Sequence, residues 1–253
     1  MAEPVIALDN VTYGYDTVPA IERATISIAP RDYVWIVGPN GGGKTTLVKL
    51  ILGLLQPKQG TVRVFGTTPG ASRHRIGYMP QHARLDPKFP VTVMEVALMG
   101  RLGPDHRYGR YDRADQAAAL KALEQVDLGE KRDRSLSELS GGQQRRLLIA
   151  RALAAEPELL LLDEPMANLD IRVERDLNQL LQRLNERLTI VMVSHDPAFV
   201  SSFVKRVVCV KRHVHVHPTS VMDSEFISEL YGTSMRVVRH DLHGNPEGGQ
   251  SDD

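Results

Sequence analysis

The chain has 253 residues, 42% hydrophobic and 25% charged, the composition of an ordinary globular protein with one good-sized core. Its 31 Lys and Arg balance 31 Asp and Glu, so no net field points to nucleic acid or anionic lipid as the main partner. The single cysteine, Cys209, excludes an intrachain disulfide framework and a thiolate-rich zinc site, and no run of about 18 apolar residues is present to span a membrane.

The first third reads as strands at Val5–Leu8, Val11–Tyr15, Ala24–Ile28 and Tyr33–Val37, rich in β-branched and aromatic residues and punctuated by Gly14, Pro19 and Pro30. After a glycine-rich segment, Lys44–Leu54 is expected as a helix, followed by strands at Thr61–Val64 and Ile76–Met79. The middle changes character. Val93–Met99, Arg113–Val126 and Gln143–Ala155 have no interior Gly or Pro and predict helices. Alternation then returns, with a buried strand at Leu159–Asp163, an amphipathic helix at Arg172–Arg187 and a buried strand at Thr189–Val193. Continuous apolar strands separated by helices predict a mainly parallel sheet covered on both faces. The opening Met1-Ala2-Glu3-Pro4 lacks the pattern of a secretory signal, so any membrane anchor is expected from other chains. Residues 239–253, rich in His, Gly and Asp, predict a mobile tail.

Two segments carry phosphate chemistry. Gly38-Pro39-Asn40-Gly41-Gly42-Gly43-Lys44-Thr45 fits G-x-x-x-x-G-K-[ST] between a predicted strand and a predicted helix, the context the motif requires. Glycines let the backbone wrap phosphate oxygens without Cβ clashes, and the N–H groups at the helix start then face the anion. Lys44 supplies a point charge to the β and γ phosphates, the Thr45 hydroxyl is placed to ligate Mg²⁺, and Thr46 continues the cradle. Leu159-Leu160-Leu161-Leu162-Asp163-Glu164 is the second segment. Its two carboxylates emerge where a buried strand ends, Asp163 to hold Mg²⁺ and Glu164 to act as general base on the attacking water. Either pair alone would suit a surface turn. Together they predict nucleotide hydrolysis.

Leu139-Ser140-Gly141-Gly142-Gln143 narrows the class. Ser140 can cap the helix that follows, and the glycines can present backbone N–H groups to an anion. Here the chain resembles the ABC ATPase family, whose signature sequence this is. Gln81, in Tyr78-Met79-Pro80-Gln81, matches the family's Q-loop, where the resemblance gives it a share of the Mg²⁺ site and of catalysis. Asn168-Leu169-Asp170 matches its D-loop, and His195, after Val191-Met192-Val193-Ser194, its switch histidine. Tyr15 falls where the family places an aromatic that stacks on adenine, with Tyr13 as a rival. The resemblance covers roughly residues 4 to 220, with two departures. Gly42 stands where Ala or Ser is commoner, and Met166 where Thr or Ser is commoner, and neither removes a catalytic group.

The resemblance implies an α/β P-loop NTPase of ABC type, spanning 4–238. It would have a mainly parallel core sheet, an N-terminal antiparallel β subdomain and a helical subdomain inserted at about 82–156. It further implies ATP and Mg²⁺ as ligands. Its sites are composite: the signature of one subunit closes over ATP held by the other, so one copy of each motif implies a homodimer or a closely similar heterodimer. The machine would sit at the cytoplasmic face of the membrane through separate permease subunits, served by a separate solute-binding protein. The contact with the permease is expected over 82–111.

Phe89-Pro90-Val91-Thr92-Val93 and Met99-Gly100-Arg101 resemble the importer branch that handles zinc, manganese or ferrous iron. Lys211-Arg212-His213, Glu229-Leu230-Tyr231-Gly232 and Met235 to His240 are similar to that branch too. His213, His215 and His217 alternate with Val214 and Val216, so in a strand they share one face. With His240 and His243 they could bind a transition metal, or they could form a solvated hairpin edge and a tail. The alternatives to metal import are import of another small solute such as a siderophore, export, or a soluble ATPase of the cofactor-assembly type.

Overall fold

The computed structural model describes residues 3–15, 18–81, 86, 89–103, 111–167, 169–194 and 204–218. Within them the chain runs β1 (Ile6–Tyr15), β2 (Val18–Ile28), β3 (Tyr33–Val37), α1 (Lys44–Ile51), β4 (Gln59–Val64) and β5 (Ile76–Met79). It continues through α2 (Val93–Leu98), α3 (Arg113–Gln125), α4 (Gly141–Leu153), β6 (Leu159–Asp163), α5 (Ile171–Asn185), β7 (Thr189–Val193), β8 (Arg206–Lys211) and β9 (His213–Pro218).

β3, β6 and β7 are buried at every position. An unbroken apolar strand demands this, because it must be covered on both faces. The strands line up in the order β4-β1-β2-β9-β8-β3-β7-β6-β5. β8, β3, β7, β6 and β5 are mutually parallel, while β2, β1 and β4 pair antiparallel at the other end. Alternation along each central strand divides the core into two layers. Tyr33, Trp35 and Val37, with Leu160, Leu162, Ile190 and Met192, face the side covered by α2, α3, α4 and α5. Val34, Ile36, Leu161, Val191 and Val208 face the side of α1, where the antiparallel strands complete the cover. α5 lays Leu177, Leu180, Leu181 and Leu184 on the first layer. That is a helical stripe, each leucine stabilising the fold by about 1.5–3 kcal/mol on burial.

α2, α3 and α4 lie between β5 and β6 in the chain and pack on one another. Arg101 locks this group. Its Nε donates to Oδ1 of the buried Asp115 at 2.9 Å, and its Nη1 donates to the Ala154 carbonyl at 3.1 Å, just past α4. The Met99-Gly100-Arg101 segment therefore has a local structural role.

Several boundaries differ from those the sequence predicts. The two short strands expected before Tyr15 are one strand, because Asn10, at φ 48°, is absorbed as an irregularity between β2 and β4. β2 starts early, at Val18, and holds Pro19 opposite Gly14, where the register with β1 slips and no ladder bond is required. α1 stops at Ile51, since Gly53 turns the chain out at φ 65°. The largest omission is β8, which forms a hairpin with the histidine strand β9, turned at Arg212 with φ 63°. The apolar run Val207-Val208-Cys209-Val210 carries the signal for its first strand.

Candidate active site

The parallel strands end in line. Ile36 pairs with Val193, Asp163 with Val193, and Met79 with Leu162, so the segments leaving β3, β7, β6 and β5 converge on one edge. This carboxyl edge is where open α/β sheets place ligands. Gly38–Gly43 leaves β3 there and turns directly into α1.

The loop is shaped by close backbone approaches. A Cβ on Gly42 would meet the Val210 carbonyl oxygen at 2.6 Å, and the Arg212 N–H donates to the Gly42 carbonyl at 3.0 Å. The β8–β9 hairpin thus braces the loop from outside, which gives a physical reason for glycine at this position. Gly43 ends the loop at φ 109°, where a Cβ would also lie 2.5 Å from the Ala20 carbonyl oxygen. No side chain caps α1, and its first turn carries no acidic residue, which leaves its N–H groups and positive end open to an anion.

Lys44, the first residue of α1, is 8% exposed, and its Nζ donates to the carbonyls of Gly38 at 2.7 Å and Pro39 at 3.1 Å. Burial lowers its pKa, and the charges of Glu164 and Asp163 oppose that shift. The ammonium therefore shares its surroundings with both predicted carboxylates. Asp163 and Glu164 are themselves buried, at 4% and 5% exposure. Glu164 sits at φ 53°, with its N–H donating to the Val193 carbonyl at 2.9 Å. A non-glycine residue held in the left-handed region costs about 1–3 kcal/mol, and such strain concentrates at functional sites. Here it re-aims the chain at the end of β6. Tyr78 on β5 is pushed up to about 12, chiefly by burial and then by the Asp163 charge. That places a neutral phenol within the field of Asp163.

Thr45 and Asn40 are exposed at the loop surface, Gly41 is open, and Thr46 is buried. Gln81 lies exposed two residues past the end of β5. Tyr15 ends β1 with 50% exposure and meets Tyr13 edge-on at 5.3 Å between ring centroids. Tyr13 packs on the core, so Tyr15 is the ring with a free face.

The signature segment opens α4. Ser140 caps α4 in a reciprocal box: its Oγ accepts from the Gln143 N–H at 3.4 Å, and the Gln143 Oε1 accepts from the Ser140 N–H at 3.0 Å. The box starts α4 at Gly141, two residues earlier than composition predicts. Ser140 and Gly141 are exposed, and Gly142 lies against Val173 of α5. Among the described residues, no hydrogen bond or ion pair joins Ser140–Gln143 to the Lys44 loop. Asn168 and His195 lie outside the described residues.

The histidine strand is not an edge. β9 lies between β8 and β2, tied by the Glu22 N–H donating to the Arg212 carbonyl at 2.9 Å. This corrects the edge expected from the sequence. His213 pairs with Glu22 at 3.6 Å, and the rings of His215 and His217 are 6.2 Å apart. Among the described residues, no group of three or more His, Cys, Asp or Glu could hold a metal ion. His240 and His243 lie outside those residues. The hairpin brace and a hydrogen bond from Arg145 to the segment after Glu164 are contacts at the site that local motifs do not announce.

Comparison with known proteins agrees with this geometry. The ABC transporter family profile matches residues 21–167. The chain is 43% identical over 229 residues to a "Probable metal transport system ATP-binding protein" of Chlamydia trachomatis, covering 88% of this chain and 94% of the relative. It is 36% identical over 258 residues to the zinc import ATP-binding protein ZnuC of Pseudomonas entomophila, covering 97% and 94%. Among solved structures it resembles the dimeric ATP-binding cassette MJ0796 in a post-hydrolysis state with ADP and Pi bound, at a TM-score of 0.67 and 30% identity over 84% of this chain and 98% of that one.

Proposed function

This chain belongs to the ABC transporter ATP-binding family and is an ATPase of that family, and from that premise we propose that it powers import of a divalent transition metal, zinc or manganese before iron, through separate permease subunits. The observation that carries the cargo reading is the near-full-length similarity to relatives named for metal transport and zinc import. Among the described residues no helix is long and apolar enough to cross a membrane. That fits attachment at the cytoplasmic face through the permease, with 82–111 as the docking segment and a solute-binding protein selecting the cargo. On this reading 4–238 is the ATPase domain, 82–156 its helical subdomain and 239–253 a tail.

In the proposed cycle the uncapped start of α1 and Lys44 hold the phosphates, and Tyr15 stacks on adenine. Lys44 exchanges its bonds to the Gly38 and Pro39 carbonyls for phosphate oxygens. Glu164, fixed by its backbone bond to β7, takes a proton from the attacking water, and His195 senses the γ-phosphate. The exposed Thr45 hydroxyl, the Asp163 carboxylate and Gln81 are all oxygen donors, the ligand type that Mg²⁺ takes. They would hold it, and it would supply charge neutralisation on the phosphate oxygens. Ser140 and its helix start, exposed at the surface, close over ATP held by a second copy. ATP binding then favours the closed dimer and product release the open one.

Growth of a strain lacking this chain tests the cargo. Under chelation it should fail and recover on one added metal, zinc or manganese. Normal uptake of zinc, manganese and iron by that strain would reject the cargo and leave the ATPase untouched.

A further inference from the structure

Two neighbouring arginines on α4 do different work. Arg146 points to the end of α3, where its Nη1 donates to the Val126 carbonyl at 3.3 Å and to Asp127 Oδ2 at 2.7 Å. Arg183 meets the same carboxylate at 3.0 Å. These bonds fasten helices within one layer. Arg145 points elsewhere. Its Nη2 donates to the Ala167 carbonyl at 3.1 Å, in the short segment between Glu164 and α5. Ala167 in turn donates its N–H to the Glu164 carbonyl at 3.3 Å. Arg145 is half-buried, and burial alone shifts its pKa, downward. Among the described residues its hydrogen-bond partner is this backbone carbonyl, so the charged head is spent on holding the segment that follows Glu164.

A second contact joins the same two modules. Gly142 lies so close to Val173 that a Cβ there would come within 2.7 Å of its Cγ1. Val173 donates its N–H to the Asp170 side chain that caps α5, at 3.0 Å. The start of α4 thus touches the post-Glu164 segment through Arg145 and the first turn of α5 through Gly142. Packed contacts and hydrogen bonds of this kind carry displacement between rigid elements.

We infer that Arg145 is a positioning residue, a strut through which the signature helix, engaged on a partner's ATP, sets the alignment of Glu164 in its own chain. The inference rests on the composite-site reading given above. The strut would act after nucleotide is bound, because its partners lie beyond the phosphate loop and its loss leaves Lys44 and Tyr15 untouched. A general base misplaced by a fraction of an ångström loses rate rather than affinity.

The test uses the full-length protein with Arg145→Ala, Arg145→Lys and, in parallel, Glu164→Gln. Arg145→Ala should lower kcat for ATP about tenfold and leave KM within about twofold. Arg145→Lys, a long side chain that still donates a hydrogen bond, should recover most of kcat. The double variant Glu164→Gln with Arg145→Ala should still dimerise with ATP, since the exposed face of Ser140 is unchanged. An unimpaired kcat in Arg145→Ala, a rise in KM matching the loss in kcat, or no rescue by lysine overturns the strut. If Arg145→Ala fails to fold, the kcat of Arg145→Lys and of Arg145→Gln, a shorter neutral donor, decides: a graded fall with KM constant supports the strut, and equal rates overturn it. The two readings fail separately. Wild-type turnover in Glu164→Gln overturns the active-site assignment, whereas an inactive Glu164→Gln beside an unimpaired Arg145→Ala overturns only the strut.

Discussion

Replacing Glu164 with Gln separates binding from hydrolysis, and the structure sets the size of both effects. The side chains are nearly isosteric, and the left-handed backbone and the bond to Val193 belong to the main chain, so the fold is kept. The amide cannot accept a proton, and losing a positioned general base costs about 10²–10⁴-fold in kcat. Binding should move the other way. Lys44 faces both Asp163 and Glu164, and replacing the Glu164 carboxylate by an amide takes one negative charge away from a site meant for a polyanion, whatever cation Asp163 holds. At an effective dielectric of about 20 a like-charge pair repels by about 4 kcal/mol at 4 Å, and by less as the separation grows. Solvent and cations share that field, so about 1 kcal/mol is expected in binding, or ATP held about fivefold more tightly. Phosphate release under saturating ATP measures the first effect and calorimetric titration the second, with Lys44→Ala as the control that loses affinity. Turnover within threefold of wild type, or weaker ATP binding in Glu164→Gln, would refute the assignment.

Ser140→Arg should leave nucleotide binding by the monomer intact and abolish ATP-driven dimerisation of Glu164→Gln, because a bulky cation fills the space intended for γ-phosphate; sedimentation with and without ATP reads this directly. Tyr15→Ala should raise KM for ATP about five- to tenfold, in line with about 1–1.5 kcal/mol of lost stacking, while Tyr13→Phe should leave it unchanged. Arg101→Ala should destabilise the fold by about 1.5–3 kcal/mol, seen as a lower Tm, because it removes the charge-assisted hydrogen bond to the buried Asp115 carboxylate and the bond to the Ala154 carbonyl, while the Asp112 N–H still donates to Asp115 Oδ2. Restoring stability with a second change, Asp115→Asn, would confirm that the buried charge is the cause.

The chemistry was legible in the chain because its motifs are local. The loop from Gly38 to Thr45 needs only a strand before it and a helix after it, and Tyr33–Val37 and Lys44–Ile51 supply these. The strands Leu159–Asp163 and Thr189–Val193 announce themselves by unbroken apolar runs, and both are found with the boundaries expected of them. Ser140 and Gln143 form a box whose members are three residues apart. Where spacing misled, the cause was a partner distant in sequence. β1 continues through Asn10 because β2 and β4 hold it from both sides, and the histidine strand is interior because β2 takes up its free edge.

Residue identity alone determined which groups could bind phosphate, hold a cation and accept a proton, since those capacities are properties of single side chains and short backbone runs. Only the tertiary structure decided that Lys44 shares a buried setting with Asp163 and Glu164, that the β8–β9 hairpin braces Gly42, and that Arg145 reaches Ala167. Such pairings depend on strand order and on which face a helix covers, and those are fixed by burying apolar surface across the whole sheet rather than by any local pattern.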